Sequence, residues 1–430
     1  MIQKLSAVKT ISGTVPLPGD KSIAHRYAML AAIAEGESVI RHFAANHDCH
    51  STLKCLSALG VKVVETGDTI TIQGCGLRGL RAPEKQLDVE NSGTTIRLLS
   101  GILAGHGFAC SITGDDSLLN RPMERIIQPL RLMGAEIESR ERGLPPLVIR
   151  GGSLKGIRYS LPVASAQIKS CILLAGLYAA GTTAVEEIVP TRDHTEIALR
   201  EFGAPVRTSG NWIEVDPEPR LRAQRLTVPG DLSGAAFFLV ATAMIPDSCL
   251  TIPGVSLNGR RRKLLDYLER AGMDILIENE TSEAGEARGD LYARYSPAFL
   301  KQGMPGIKGA ETAALIDEIP ALAVLGSQTA GGLEISDAGE LRVKESDRIS
   351  AVAVNLRAMG AEVTEKPDGL VISGGRKLRG ADIVTRNDHR IAMAFAAAGL
   401  AAEGETRVRD AECVNVSFPN FWDTLKAIAR

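Results

Sequence analysis

Aromatic residues make up only 4% of this 430-residue chain, too few for the stacked rings with which proteins hold single-stranded nucleic acid. An excess of either charge is also missing. The chain has 49 Lys and Arg against 51 Asp and Glu, a formal net charge of -2, so no global field draws it to DNA, RNA or an anionic membrane. No apolar run is long enough to cross a bilayer. The longest, around Cys171–Val185 and Ile391–Ala402, are short and rich in small residues. The opening MIQKLSAVKT has neither the apolar core nor the cleavage site of a secretory leader. Seven cysteines, an odd number at scattered spacings, do not read as a disulfide framework, so a reducing cytoplasm is the expected compartment. His47, Cys49, His50 and Cys55 stand close together but have no second matching pair, which favours a polar helix start over a zinc site.

Glycine, by contrast, is abundant at 43 residues, and part of it is periodic. A Leu-x-x-x-Gly pattern followed by a short alternating segment begins at Leu56, Leu130, Leu199, Leu268 and Leu356, with a worn copy at Leu425. The spacing is about 70 to 90 residues, longer than the common short solenoid repeats. Each copy reads as the last turn of an amphipathic helix, then a glycine suited to the left-handed conformation (Gly60, Gly134, Gly203, Gly272, Gly360), then a strand. Turn residues at Gly67-Asp68, Ser209-Gly210-Asn211 and Asp368-Gly369 predict hairpins after three of the copies.

A second series interleaves with the first. Six almost wholly apolar helices begin at short polar clusters around Asp20, Asn91, Ser165, Asp231, Asp317 and Asp388. A helix apolar on every side has to be buried. Each repeat therefore supplies one buried helix, one amphipathic helix and a small sheet, an α/β layer unit occurring six times. Three units per lobe would divide the chain into 20–229 and 1–19 plus 230–430. The breaks fall at the Pro- and Gly-punctuated stretches around 13–19 and 217–230, and two chain crossings suggest a hinged cleft.

The polar residues gather at the helix starts, where unpaired amides and the helix dipole favour phosphate or carboxylate. Cations stand at the same places: Lys21 and Arg26, Arg192 and Arg390, with Arg121, Lys344 and Arg348 in compact loops. This pattern points to small, strongly anionic substrates. Asp317 and Glu345 are carboxylates among those cations. They read either as proton-transfer groups or as a helix cap and a surface ion pair. Ser22, Asn91, Ser165 and Asp388 would each serve as plain caps, and Arg97, further into its helix, reads as structural. Gly74-Cys-Gly76-Leu-Arg-Gly79 matches a dinucleotide fingerprint but no helix pattern follows it. Gly19-Asp-Lys21-Ser22 lacks the glycine spacing of a phosphate loop.

Nine segments in order resemble the 5-enolpyruvylshikimate-3-phosphate (EPSP) synthase family over essentially the whole chain. They are PGDKSIAHR at 18–26, NSGTTIR at 91–97, NRPM at 120–123, SAQIKS at 165–170, TRDHTE at 191–196, IDEIP at 316–320, LRVKESDR at 341–348, NDHRIAM at 387–393 and SFP at 417–419. The resemblance implies a two-lobed inside-out α/β barrel. It implies transfer of the enolpyruvyl group of phosphoenolpyruvate to the 5-hydroxyl of shikimate 3-phosphate, through a tetrahedral intermediate and with release of phosphate. Carried over by position, Lys21, Ser22, Arg26, Ser165, Ala166 (through its backbone), Gln167, Arg192, Asp317 and Lys344 would hold shikimate 3-phosphate. Lys21, Asn91, Gly93, Thr94, Arg121, Gln167, Glu345, Arg348 and Arg390 would hold phosphoenolpyruvate. Asp317 would handle the 5-hydroxyl proton and Glu345, with Lys21, the proton at C3. No metal or organic cofactor is implied. The expected partners are the two small substrates, with no nucleic acid or membrane, and the expected state is a monomer.

Four positions bear on the pocket. Val416 stands where many members carry Lys before the Ser/Thr-Phe-Pro segment, and Glu340-Leu341 replaces an Asn-Trp pair of some members. Gly93 is retained where some herbicide-tolerant members have Ala, which leaves room for glyphosate. The alternative is the enolpyruvyl transferase acting on UDP-N-acetylglucosamine. It commonly uses a loop cysteine, but the corresponding loop, 114–123, has none and Cys110 falls in a strand-like segment. A partner-binding repeat scaffold would not concentrate acids and cations at its helix starts. An RNA 3′-terminal phosphate cyclase would need a nucleotidylated His motif, for which there is no evident match.

Overall fold

A computed structural model describes residues 1–430. The chain divides into two compact units: Gly19–Val228 with Ser282–Glu286, and Met1–Pro18 with Pro229–Thr281 and Ala287–Arg430. The turn Ser282–Glu286 departs from the sequence expectation, which kept all of 230–430 together. Glu286 is 2% exposed and its carboxylate lies 2.7 Å from Nδ1 of His194, and this buried hydrogen bond ties the turn to the Gly19–Val228 unit.

In the unit built on Gly19–Val228 the same arrangement occurs three times. Buried helices Lys21–Ile33, Gly93–Ala104 and Ala166–Gly176 each lead to a four-stranded sheet, and amphipathic helices His47–Ala58, Glu124–Met133 and His194–Glu201 alternate with them. In each sheet one outer strand pairs in parallel with the next, and the other two pairings are antiparallel. Eleven of the thirteen residues of Lys21–Ile33 are buried, as an all-round apolar helix requires. The Gly93 and Ala166 helices pack closely. A Cβ on Gly101 would lie 2.2 Å from the main-chain oxygen of Cys171, so only glycine permits this approach.

The other unit repeats the theme with buried helices Leu232–Met244, Ile319–Gln328 and His389–Ala401 and amphipathic helices Lys263–Arg270, Arg348–Ala358 and Phe421–Ile428. In its last repeat the N-terminal strand Ile2–Leu5 pairs antiparallel with Thr406–Arg409. A second N-terminal strand, Ser12–Thr14, runs parallel to Cys249–Thr251.

The expected glycines Gly60, Gly134, Gly203, Gly272 and Gly360 all take φ between +88° and +110°. The expected hairpins form at Lys62–Cys75, Val206–Val215 and Val363–Ile372. His47 opens a helix capped by Asn46, as its polar-start reading required. The Gly74–Gly79 fingerprint leaves the strand Thr69–Cys75 for a turn with no helix after it. No helix is long and apolar enough to cross a membrane.

Candidate active site

In the Gly19–Val228 unit the expected ligands stand at the starts of the three buried helices. Asp20 caps the first by accepting from the amide of Ile23, and Ser165 caps the third by accepting from that of Ile168. The plain-cap readings of Ser22 and Asn91 are not what forms. Asp20 takes the position Ser22 would have had, and Ser92 caps Gly93–Ala104. The caps hold the backbone amides in place and leave the neighbouring side chains to face a ligand.

Lys21 follows its cap directly, and its Nζ lies 2.9 Å from Oδ2 of Asp48, with both side chains largely buried. Arg26, one turn on, is 4% exposed. Its Nη1 donates to the main-chain oxygen of Ser22 at 2.7 Å, its Nε to Oγ1 of Thr195 at 2.6 Å and its Nη2 to Oγ of Ser170 at 2.8 Å. Burial lowers its pKa to about 10. The nearby Arg192 guanidinium adds to the fall and the Glu196 carboxylate opposes it. A buried guanidinium whose charge is further disfavoured by Arg192 suits an anion better than a neutral ligand.

Around the second helix start, Asn91 accepts from Nη2 of Arg121 at 2.9 Å and donates to Asp115 at 3.0 Å. Arg121 also donates to Oγ of Ser117, at 3.1 Å, and is 6% exposed. Gln167 donates to Oγ1 of Thr94 at 3.0 Å and accepts from Nη1 of Arg97 at the same distance. Arg97, read as structural, holds the amide of the expected ligand Gln167 and also donates to the main-chain oxygen of Gly93, at 3.2 Å. In this unit Lys21, Ser22, Arg26, Asn91, Gly93, Thr94, Arg121, Ser165, Ala166, Gln167 and Arg192 all lie at or beside the three helix starts.

In the second unit Asp317, Lys344, Glu345, Arg348 and Arg390 come together in one cluster. Arg348, 1% exposed, holds Asp388 with Nε at 2.8 Å and Nη2 at 3.2 Å, Glu345 at 2.6 Å and Asp317 at 3.6 Å. Burial works against its charge, but the carboxylates of Asp388, Glu345 and Asp317 push its pKa further up. Lys344 Nζ and Arg390 Nη2 lie 3.9 Å and 3.8 Å from the Asp317 carboxylate, and Arg390 Nη1 donates to the Asp317 main-chain oxygen at 2.9 Å. Asp317 thus has three cations within 4 Å. Its reading as a helix cap is corrected too. The helix Ile319–Gln328 starts two residues later with Glu318 at the cap position, so the Asp317 side chain serves the cation cluster. Glu345 likewise is no surface pair, since its partner is buried. Asp388 does cap its helix, accepting from the Arg390 amide at 3.0 Å.

Sequence reasoning missed the carboxylates that hold these cations. They are Asp48 on Lys21, Asp388 on Arg348, and Glu318, whose carboxylate is 4.0 Å from Arg390 and 3.7 Å from Arg261. It also missed Ser170 and Thr195 under Arg26. The signal was present for Asp388, which lies two residues from an expected ligand, but nothing in the local pattern says which distant cation an acid will meet.

Comparison with known proteins adds the family. The family model described as EPSP synthase (3-phosphoshikimate 1-carboxyvinyltransferase) matches residues 5–425. A protein named 3-phosphoshikimate 1-carboxyvinyltransferase from Solibacter usitatus is 52% identical over 430 residues, covering 100% of both chains. Another of that name from Koribacter versatilis is 49% identical and covers 99% of both. Among solved structures, EPSP synthase from Acinetobacter baumannii superposes with a TM-score of 0.88 at 41% identity, covering 100% of this chain and 98% of that one. The enolpyruvyl transferase NikO from Streptomyces tendae shares the fold, with a TM-score of 0.81 at 17% identity over 99% of this chain and 97% of that one.

Proposed function

The chain belongs to the EPSP synthase family, and from that premise we propose which of its residues carry each part of the reaction. The protein is a 3-phosphoshikimate 1-carboxyvinyltransferase of the shikimate pathway and aromatic amino acid biosynthesis, using phosphoenolpyruvate and shikimate 3-phosphate as substrates. The observation that carries the assignment is the full-length identity to enzymes of that name, together with cation clusters at the helix starts of each unit.

In our reading, Ser22, Arg26, Ser165, Gln167, Arg192, Lys344 and the Ala166 amide hold shikimate 3-phosphate. Lys21, Asn91, Gly93, Thr94, Arg121, Gln167, Arg348 and Arg390 receive the phosphate and carboxylate of phosphoenolpyruvate. Glu345, with Lys21, delivers a proton to C3. The 5-hydroxyl oxygen attacks C2 as Asp317 takes its proton, which gives a tetrahedral adduct. Loss of a proton from C3 and cleavage of the C2–O bond then release phosphate and leave the enol ether. The clustered guanidiniums stabilise the phosphate as it departs. We take a monomer as the working unit. None of the seven cysteines is paired in a disulfide, which supports a reducing compartment, and we place the activity in the cytoplasm.

The test is phosphate release by the purified protein. We expect turnover with phosphoenolpyruvate plus shikimate 3-phosphate and none when UDP-N-acetylglucosamine replaces the latter. The reverse preference would overturn the assignment.

A further inference from the structure

Lys169 is buried completely, at 0% exposure, one turn into the helix that begins at Ser165. A buried ammonium is costly unless carboxylates surround it. Here Nζ lies 2.6 Å from Oε1 of Glu196 and 3.0 Å from Oε1 of Glu187, whose side chains are 5% and 6% exposed. Both acids are tied to the side of this unit where Arg26 and Arg192 lie.

Glu187 follows the strand Thr183–Glu186 and closes the short loop that leads to Arg192. Its Oε1, the oxygen beside Lys169, accepts from the amide of Thr191 at 3.1 Å and from the Thr191 hydroxyl. The residue after Thr191 is Arg192. Glu196 lies in the first turn of His194–Glu201, next to Thr195, whose hydroxyl receives Nε of Arg26. Ser170, the residue after Lys169, accepts from Nη2 of Arg26 and lies 2.6 Å from the Thr195 hydroxyl. Arg26 and Arg192 are thus both held by elements that meet at Lys169. The charges agree with this arrangement. Burial raises the pKa of Glu196 and Lys169 opposes the rise.

We propose that Lys169 is a positioning residue for the shikimate 3-phosphate site: through Glu187 it braces the loop carrying Arg192, and through Glu196 it sets the helix start that orients Arg26. It touches no substrate. The proposal rests on the functional reading above, because it needs Arg26 and Arg192 to hold that substrate.

The test uses the full chain and reads the two substrates separately. Wild type must first turn over both, and failure there overturns the functional reading alone. In Lys169→Met, loosening of the Arg26–Arg192 pair should raise the KM and the directly measured Kd for shikimate 3-phosphate about tenfold or more. The KM for phosphoenolpyruvate should stay near wild type. A general structural lesion would move both. Glu187→Gln and Thr191→Val read the loop arm, Thr191→Val from a half-buried position, and should show the same one-sided shift with melting temperatures near wild type. They decide the matter if Lys169→Met fails to fold. Folded variants with an unchanged Kd for shikimate 3-phosphate, or with equal weakening of both substrates, would overturn the proposal.

Discussion

Arg348 grips Asp388 through two nitrogens, Nε at 2.8 Å and Nη2 at 3.2 Å, while the same carboxylate caps the helix His389–Ala401. One acid therefore ties two of the expected phosphoenolpyruvate ligands, Arg348 and Arg390, to a single helix start. The pair is 1% and 0% exposed on its two sides, so neither charge is screened by water.

Breaking that pair should cost both stability and binding. Asp388→Ala removes the fully buried, two-nitrogen partner of a buried guanidinium and also a cap, and a loss of about 3 kcal/mol is expected. Urea unfolding would measure it. Asp388→Asn keeps an acceptor for the Arg390 amide, so its stability loss should be smaller, yet its KM for phosphoenolpyruvate should still rise. Unfolding midpoints of both variants equal to wild type would contradict the account.

The proton-transfer roles predict a different signature. Asp317→Ala and Glu345→Ala should each lower kcat by about 10²- to 10⁴-fold, with KM for either substrate changed far less. Arg348 keeps Asp388 in both variants, so its charge stays compensated. Steady-state rates decide this, and near-normal kcat in both variants would reject the assignment.

Gly93 sits where a side chain would disturb two arginines. A Cβ there would lie 2.7 Å from Nη1 of Arg97 and 3.3 Å from Nη1 of Arg121. Both neighbours are the far ends of flexible side chains, so Gly93→Ala should fold while displacing them. We expect a several-fold higher KM for phosphoenolpyruvate and weaker inhibition by glyphosate, which should compete with phosphoenolpyruvate on wild type. Unchanged inhibition in Gly93→Ala, or no competition on wild type, would argue against this placement.

His25 should make stability depend on pH. Burial, and then the charges of Lys21 and Arg26, hold its pKa well below the ordinary 6.5, with Asp20 pulling weakly the other way. The unfolded chain therefore binds a proton that the folded chain refuses. The stabilising contribution is present above about pH 6.5 and is lost as the pH falls towards the folded value, by about 1.4 kcal/mol per pH unit. His106, also lowered by burial, adds in the same direction. Melting curves between pH 7.5 and 5 should fall more steeply for wild type than for His25→Gln, and parallel curves would remove His25 from the explanation.

Much of the architecture was legible because it is local. The left-handed glycines, the hairpin turns and the all-apolar helix bodies are set by steric freedom and by burial, and both leave periodic marks in the residue order. The starts of the buried helices were read to within two residues. The errors were at the caps. Asn91 and Ser92 are adjacent, both are good cap residues, and only the position of Arg121 decides that Asn91 turns to it and leaves the cap to Ser92. The partner of Arg97 was hidden for a similar reason, since Gln167 lies seventy residues away on another helix.

By itself the sequence determined the sixfold repeat, the cation-rich helix starts and, through ordered motifs, the family. Those properties depend on residues within a turn or two of each other. Only the tertiary structure decided which acid holds which cation: Asp48 with Lys21, Asp388 with Arg348, Glu187 and Glu196 with Lys169. Charge pairing acts over a few ångströms of space and is indifferent to separation along the chain, so it becomes fixed when the packing of the buried helices brings their starts together.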